Sequence, residues 1–261
     1  MDKIIFFDID GTLYDPAIGI PESTKRSLDQ LIKNGHKIVM CTGRSKGMIP
    51  KSYFDMGFDG MIMGAGTYVE YEGKVLYRSL MSPQELKNVI DTGRREKIGI
   101  VLEGEIHGYY DPDDQEDYYI DVVQRTEKDC QTVLYPLDEA VDVPKWTYHH
   151  LDPSKIAKVE ESLNNRFKGI YHEYLNSVEF IPKDVNKAKG IEKILEYAKI
   201  SKENAYAFGD SANDIDMIKY VKYGVAMGNA VPELLEAAPY HTARIEEDGI
   251  EKGLKKFGLI S

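Results

Sequence analysis

Ile4-Ile5-Phe6-Phe7-Asp8-Ile9-Asp10-Gly11-Thr12-Leu13 decides the reading of this chain. Four bulky apolar residues in an unbroken run fit a strand covered on both faces, as in a parallel sheet flanked by helices. Two carboxylates follow where that strand ends, and Gly-Thr opens a turn. A lone buried carboxylate is costly or gives up its charge, so such residues beside a core call for a partner. In open α/β sheets, ligands sit at the carboxyl ends of the strands. Asp8 and Asp10 therefore read as a nucleophile and an acid/base beside a cation.

Outward from this stretch, residues 1–80 alternate strand and helix. Strands are expected at 3–8, 37–41 and 60–63. A helix runs from Pro21-Glu22-Ser23-Thr24 to Lys33, stopped by Asn34-Gly35, and a second spans 46–56. Residues 68–71 and 74–77 flank Glu72-Gly73 as a hairpin. Alternation resumes over 184–261, with helices at 187–199, 215–221, 231–238 and 249–257 and strands at 205–208 and 224–227. Ile191, Ile194, Leu195 and Ala198 share one face of the first of these helices.

Residues 81–183 differ. A helix starts at Ser82-Pro83-Gln84-Glu85 and runs to Lys97, with β-like pieces at 98–103, 107–110 and 178–181 and helices near 115–123 and 153–167. The expected architecture is α/β: a doubly wound, mostly parallel Rossmann-like core (1–80 and 184–261) with an inserted α+β domain (81–183).

Composition narrows the function. The chain has 261 residues, 42% hydrophobic and 30% charged, which suits a soluble protein with a substantial core. A net charge of −11 argues against nonspecific affinity for nucleic acid or anionic lipid. No apolar stretch approaches the ~18 residues of a membrane span, and no signal-peptide pattern is seen, so a cytoplasmic protein is expected. Cys41 and Cys130 fit neither a disulfide scaffold nor a zinc site. Cys41, in Ile38-Val39-Met40-Cys41, reads as a small packed hydrophobe.

Four polar groups fall at element ends: Asp8 and Asp10; Thr42, Gly43 and Arg44; Lys187 and Lys189; and Asp210, Ser211, Asn213 and Asp214. Parallel strands would bring them to one edge of the sheet. The set suits phosphoryl transfer through an aspartyl-phosphate. A carboxylate nucleophile and a phosphate repel by roughly 4 kcal/mol per charge pair at about 4 Å and an effective dielectric of about 20. Mg²⁺ on Asp8 and Asp210 offsets most of this, and a lysine offsets more. The Thr42 hydroxyl and nearby backbone N–H groups suit the phosphoryl oxygens. Asp10 is placed to protonate the leaving alcohol and then to activate water.

In order and placement, these residues resemble the four motifs of the haloacid dehalogenase superfamily, and within it the Cof-like phosphatases. Asp8-Ile9-Asp10-Gly11-Thr12 resembles the first motif, Thr42-Gly43-Arg44 the second, Lys187 the third, and Gly209-Asp210-Ser211-Ala212-Asn213-Asp214 the fourth. The resemblance implies that Asp8 is nucleophile and Mg²⁺ ligand. It implies that Asp10 is the acid/base and lends its backbone carbonyl to the metal, and that Asp210 is a metal ligand. Thr42, Gly43, Arg44 and Gly11 would contact substrate, Lys187 would orient nucleophile and phosphate, and Asn213 and Asp214 would support the site. The insert would be a large α/β cap that selects small phosphorylated metabolites, such as sugar phosphates. Gly64-Ala65-Gly66-Thr67 departs from the Asn-Gly often found after the third core strand. Lys187 fits the helix spacing better than Lys189, two residues on.

A phosphomutase and a phospho-acceptor signalling module remain as alternatives, Asp10 arguing against the second. The acidic run 111–121 fails as a calcium loop, with Glu116 at its sixth position and Val122 at its twelfth. His149-His150 lacks metal-ligand spacing. Tyr109, Tyr110, Tyr118, Tyr119 and Trp146 read as packing residues. Neither substrate nor oligomeric state has a signature here.

Overall fold

A computed structural model describes residues 3–149, 153–163, 165–172 and 176–261; His150 lies outside them. The chain divides into two compact units. Unit 1 comprises Met1–Gly43, Ser52–Arg78 and Asn186–Ser261; unit 2 comprises Arg44–Lys51 and Ser79–Val185.

In chain order, unit 1 begins with β1 (Ile4–Phe7), α1 (Glu22–Lys33) and β2 (Lys37–Cys41). The short helix α2 (Lys51–Phe54), β3 (Gly60–Met63), β4 (Tyr68–Tyr71) and β5 (Lys74–Arg78) follow. Unit 2 contains α3 (Pro83–Glu96), β6 (Gly99–Glu103), β7 (Gly108–Tyr110), α4 (Asp117–Cys130), β8 (Leu134–Pro136), β9 (Lys145–His149), α5 (Pro153–Ser162), β10 (Phe167–His172) and β11 (Ser177–Pro182). Unit 1 closes with α6 (Lys187–Ala198), β12 (Ala205–Gly209), α7 (Ile215–Tyr220), β13 (Tyr223–Ala226), α8 (Pro232–Ala237), β14 (Tyr240–His241) and α9 (Gly249–Lys256).

The unit 1 sheet has the order β14-β13-β12-β1-β2-β3-β4-β5, parallel except for the β3–β4–β5 meander. The unbroken apolar run of β1 has a simple cause. Ile4 and Phe6 enter one core layer with Ile191 and Ile194 of α6, while Ile5 and Phe7 enter the opposite layer with Leu28, Leu31 and Leu254. A strand covered on both faces has no position for a polar residue until it ends. The chain winds from β1 to β5 in one direction and returns to lay β12 on the other side of β1, pairing Ile4 with Ala205 and Phe7 with Phe208. That reversal is a topological switch point, where loops leave neighbouring strands in opposite directions and open a crevice. Asp8 and Asp210 emerge side by side there.

The helix expected over 46–56 is instead a 3-10 turn (Lys46–Met48) and the four-residue α2. Pro50 separates them, holding Ile49 extended at φ −100°, ψ 128°. The Arg44–Lys51 segment packs with unit 2, where the Gly47 N–H donates to the Gly104 carbonyl at 3.1 Å.

Unit 2 is a six-stranded sheet in the order β10-β11-β9-β6-β7-β8, antiparallel but for β7–β8. One face carries Leu102, Trp146, Tyr148 and Phe180 in a core that includes Val89 of α3 and Val159 of α5. Trp146 and Phe180 stack at 5.1 Å, and Ser82 and Glu85 form the capping box that starts α3. The helix expected over 153–167 stops at Ser162. Asn165, at φ 54°, turns the chain into the left-handed region, and Phe167 opens β10. Strands β8, β9, β10 and β14 were not anticipated. No helix among the described residues is long and apolar enough to cross a membrane.

Tyr119, read as packing, also has a polar task. Its hydroxyl donates to the Ile100 carbonyl at 2.5 Å and accepts the Asp111 N–H at 2.8 Å. Tyr119→Phe should therefore cost about 1–3 kcal/mol, because two buried backbone groups lose their partner. A urea titration would show a lower midpoint at unchanged slope, and an unshifted midpoint would contradict the assignment.

Candidate active site

The site is organised by one ammonium group. Lys187, the first residue of α6, is fully buried, and its Nζ donates to Asp8 Oδ1 at 2.5 Å and to Asp214 Oδ1 at 2.6 Å. Asn186 caps the helix, its Oδ1 accepting the Lys189 N–H at 2.8 Å. Lys189 itself is exposed, so of the two candidate lysines the structure sets Lys187 against the carboxylates.

Asp8 lies one residue beyond β1, its N–H bonded to the Phe208 carbonyl at 3.0 Å, and it is 4% exposed. After it the chain turns tightly. The N–H groups of Thr12, Leu13 and Tyr14 all converge on the Ile9 carbonyl, while Gly11 adopts φ +84°. Gly11 is required twice over, since that φ is strained for a side chain and a Cβ there would overlap the Asp210 carboxylate. The turn also delivers Thr12, whose Oγ1 donates to Asp210 Oδ1 at 2.9 Å. Asp10 is exposed.

Asp214 is the most heavily bonded of the three aspartates. Its Oδ2 accepts the N–H groups of Asp210 and Ser211, each at 3.0 Å, while Oδ1 holds Lys187. Asp8, Asp210 and Asp214 present oxygens within 4.8 Å of one another. Asp214 is the most heavily hydrogen-bonded of the three, so the oxygens best suited to a cation are those of Asp8 and Asp210. The Asp10 side chain is not in this cluster.

The charge balance tests whether a metal fits. Three carboxylates face one ammonium, a surplus of two negative charges when all are ionised. Burial, then Asp214, drives the Asp8 carboxyl well above its usual range against the pull of Lys187. Burial, then Asp214, pushes Asp210 up to about 7, with Thr12 and Lys187 opposing. An all-oxygen donor set with surplus negative charge is what a hard divalent cation such as Mg²⁺ requires. Cys41 adds no soft ligand, for burial pushes its thiol up and keeps it protonated.

Thr42 is buried beyond β2, its N–H donating to the Ile62 carbonyl at 2.8 Å and its carbonyl accepting the Ala65 N–H at 3.0 Å. Gly43 packs beside Asn213, whose Nδ2 lies 3.3 Å from where a Cβ would stand. Asn213 Oδ1 accepts the Ser211 hydroxyl at 2.9 Å. Arg44 belongs to unit 2, where Nη1 donates to the Asp129 carbonyl at 3.1 Å.

Sequence reasoning missed the loop after β13. Met227 N–H bonds the Gly209 carbonyl at 2.9 Å and Val231 N–H the Asp210 carbonyl at 2.8 Å. Asn229 Nδ2 donates to the Gly11 carbonyl at 2.8 Å, and its Oδ1 accepts the Ile245 N–H at 3.0 Å. One loop thus ties together both aspartate-bearing turns. Gly228-Asn229 after an apolar strand was the available signal.

The profile of the haloacid dehalogenase-like hydrolases matches residues 5–254. The chain belongs to that family. It is 32% identical over 270 residues to YkrA of Bacillus subtilis, a candidate phosphatase, covering 99% of this chain and 98% of that one. It is 26% identical over 270 residues to the 5-amino-6-(5-phospho-D-ribitylamino)uracil phosphatase YitU of the same organism, covering 97% of each. Among solved structures, the subclass IIB sugar phosphatase BT4131 superposes with a TM-score of 0.82 at 28% identity, covering 99% of this chain and all of that one. The chain is an enzyme of the phosphatase class within this family.

The raised carboxyls make metal-free stability depend on pH. A carboxyl whose folded pKa exceeds its unfolded value of about 3.9 favours folding below that pH and loses the contribution as pH rises through the folded value. For Asp210 the window runs from about pH 4 to about 7. The melting temperature of metal-free protein should therefore carry a downward component across that window, and Mg²⁺ should raise it at pH 8. Asp210→Asn should shrink the component between about pH 4 and about 7 and weaken the Mg²⁺ effect; differential scanning calorimetry on both proteins decides it.

Proposed function

We propose that the enzyme hydrolyses small phosphate monoesters, sugar phosphates or similar metabolites, through an aspartyl-phosphate on Asp8. The observation that carries this reading is Lys187, buried between Asp8 and Asp214 with Asp210 alongside. Lys187 holds Asp8 Oδ1, leaving Oδ2 to attack phosphorus. Mg²⁺, held by Asp8, Asp210 and the Asp10 main-chain carbonyl, would supply the charge that offsets repulsion between carboxylate and phosphate. The Thr42 hydroxyl and the N–H groups near Gly11 and Gly43 hydrogen-bond the phosphoryl oxygens, and Arg44 contacts substrate.

As the ester P–O bond breaks, Asp10 gives its proton to the departing alkoxide. The resulting Asp10 carboxylate then takes a proton from the water that attacks the aspartyl-phosphate, releasing inorganic phosphate and restoring both aspartates. Exposure suits Asp10 to this exchange, and burial suits Asp8 to covalent attack. Asp214 positions Lys187 and the backbone of 210–211, with Asn213 beside Gly43. Unit 2 is the insert that selects substrates. A YitU-type relative and a sugar phosphatase among the similar proteins support a polyol or sugar phosphate as the substrate class. The setting is the cytoplasm.

Asp8→Asn should abolish phosphate release from p-nitrophenyl phosphate. Asp10→Asn should lower kcat by about 10²–10⁴-fold, the usual range for lost general acid–base catalysis. Normal turnover by Asp8→Asn would remove it from the role of nucleophile. Chelation should stop the enzyme and Mg²⁺ should restore it, with Ca²⁺ a poor substitute because its shell is larger and looser. Phosphate release without a bisphosphate activator separates hydrolysis from mutase chemistry, and a long-lived phospho-aspartate would instead mark a signalling module.

A further inference from the structure

The face of the unit 2 sheet opposite its apolar core carries part of the Arg44–Lys51 segment. Val101 and Glu103 alternate with Leu102 along β6 and share that face. Met48 is buried against Val101, Tyr119 and Leu134. The Gly47 N–H bonds the Gly104 carbonyl at 3.1 Å. A Cβ on Gly47 would stand 2.6 Å from the His107 nitrogen and 2.7 Å from the Ile106 carbonyl carbon. Those neighbours are backbone atoms and cannot swing aside, so the segment is seated without slack.

Its first anchor is ionic. The Ser45 N–H donates to the Glu103 carboxylate. Lys145 of β9 holds the same carboxylate at 2.9 Å and also bonds Glu179 of β11. The Lys145 side chain is 4% exposed, so two carboxylates face one buried ammonium. One would neutralise it, and a buried ionic group adds little stability, because desolvation consumes most of the Coulombic gain. The two carboxylates differ in what else they touch. Glu179 faces His172, whose Nε2 lies 3.4 Å away, whereas Glu103 takes a backbone N–H from the segment. Ser45 is buried, and a buried N–H left unpaired is costly. A charged acceptor held in place by Lys145 fixes that N–H more firmly than a neutral one.

Chain length sets what this anchor controls. Thr42 is fixed at its own end, with its N–H on the Ile62 carbonyl and its carbonyl on the Ala65 N–H. Only Gly43 and Arg44 separate it from Ser45. Each residue spans at most about 3.6 Å, so two of them cannot absorb a shift of Ser45 without moving themselves.

We propose that Glu103 is a positioning residue for the Thr42-Gly43-Arg44 turn, acting through the Ser45 N–H while Lys145 holds its carboxylate. The turn is the one assigned above to the phosphoryl group, and the inference rests on that reading.

The test compares Glu103→Ala with Glu179→Ala in the full chain with Mg²⁺. Each removes one carboxylate from the same ionic group, but only the first releases Ser45. Glu103→Ala should lower kcat/KM for p-nitrophenyl phosphate by at least about tenfold, towards the roughly 100-fold loss that a misplacement of about 1 Å produces. It should raise the inhibition constant of inorganic phosphate as well. Glu103→Gln, which keeps a neutral acceptor, should recover part of both losses. Glu179→Ala should leave both constants at the wild-type values, even where it lowers the melting temperature. Gly47→Ala dislodges the segment without touching the ionic group and should reproduce the kcat/KM loss. A merely structural group makes the two glutamate variants lose activity alike, in step with their melting temperatures, and overturns the proposal. An unaltered kcat/KM in Glu103→Ala or in Gly47→Ala does the same. Amide hydrogen exchange separates the two readings, since it needs no turnover. Exchange at Gly43–Ser45 should quicken in Glu103→Ala and not in Glu179→Ala; unchanged exchange sinks this inference alone, and wild-type protein that releases no phosphate sinks the phosphatase reading.

Discussion

A buried ammonium shared by two carboxylates is the constraint on which unit 1 depends. Lys187 has no exposure to water, so its charge persists only because Asp8 and Asp214 hold it. Breaking such a pair by removing one member leaves an uncompensated buried charge, at a cost of about 3–5 kcal/mol. The three residues come from the end of β1, the start of α6 and the turn after β12. Their mutual attraction therefore fixes how the two halves of a split sequence meet. It also fixes which way α6 points, because Asn186 caps the helix while its Nδ2 reaches Asp216 at 2.8 Å. The same contact that joins the halves sets the orientation of the carboxylate proposed to attack phosphorus.

That arrangement leaves the site overloaded with negative charge. One lysine cannot balance Asp8, Asp210 and Asp214, and burial raises the cost of keeping them ionised. A core designed for stability alone would not retain this set. Its persistence at a topological switch point, with Asp8 and Asp210 on adjacent parallel strands, fits a fold that gives up apo-state stability for a cation and an anionic substrate. The backbone bonds from Met227 and Val231 and the amide of Asn229 hold the two aspartate turns together against their repulsion.

How much of this could be read from the sequence follows the range of the forces involved. β1 was legible because its four apolar residues answer to two core layers at once. The strand-end carboxylates were legible because charge beside such a run is rare without a purpose. The break at Pro50 is equally local, but the helical pattern on either side of it obscures it. In unit 2, β9 alternates Lys145-Trp146-Thr147-Tyr148-His149 and carries a short period-two signal. Strands β8 and β14, three and two residues long, are defined by their neighbours and have no pattern of their own. Spacing already favours Lys187 over Lys189, and its buried bonds to Asp8 and Asp214 set it apart. Thr12 and Asn229 act on partners 198 and 218 residues away, beyond the reach of spacing arguments.

Four aspartates of one chemical type end in different states here, and the donors around each decide which. Asp214 accepts two backbone N–H groups and an ammonium, which hold it fixed against Lys187 and the backbone of 210–211. Asp8 accepts one strong bond at Oδ1 and no hydrogen bond at Oδ2 from the described residues, which keeps one oxygen available. Among the described residues, Asp210 receives the Thr12 hydroxyl alone at its side chain, and burial and then Asp214 make it easy to protonate unless a cation replaces the proton. Asp10, two residues from Asp8, stands in the exposed part of the turn. The tight convergence of three N–H groups on the Ile9 carbonyl produces that separation: it lets the chain bury one carboxylate and expose the next within a single turn. The nucleophile proposed for Asp8 needs a fixed oxygen in a dry setting, and the proton shuttle proposed for Asp10 needs access to water. The turn after β1 suits both proposed roles because Gly11 allows the backbone to reverse where any side chain would strike Asp210.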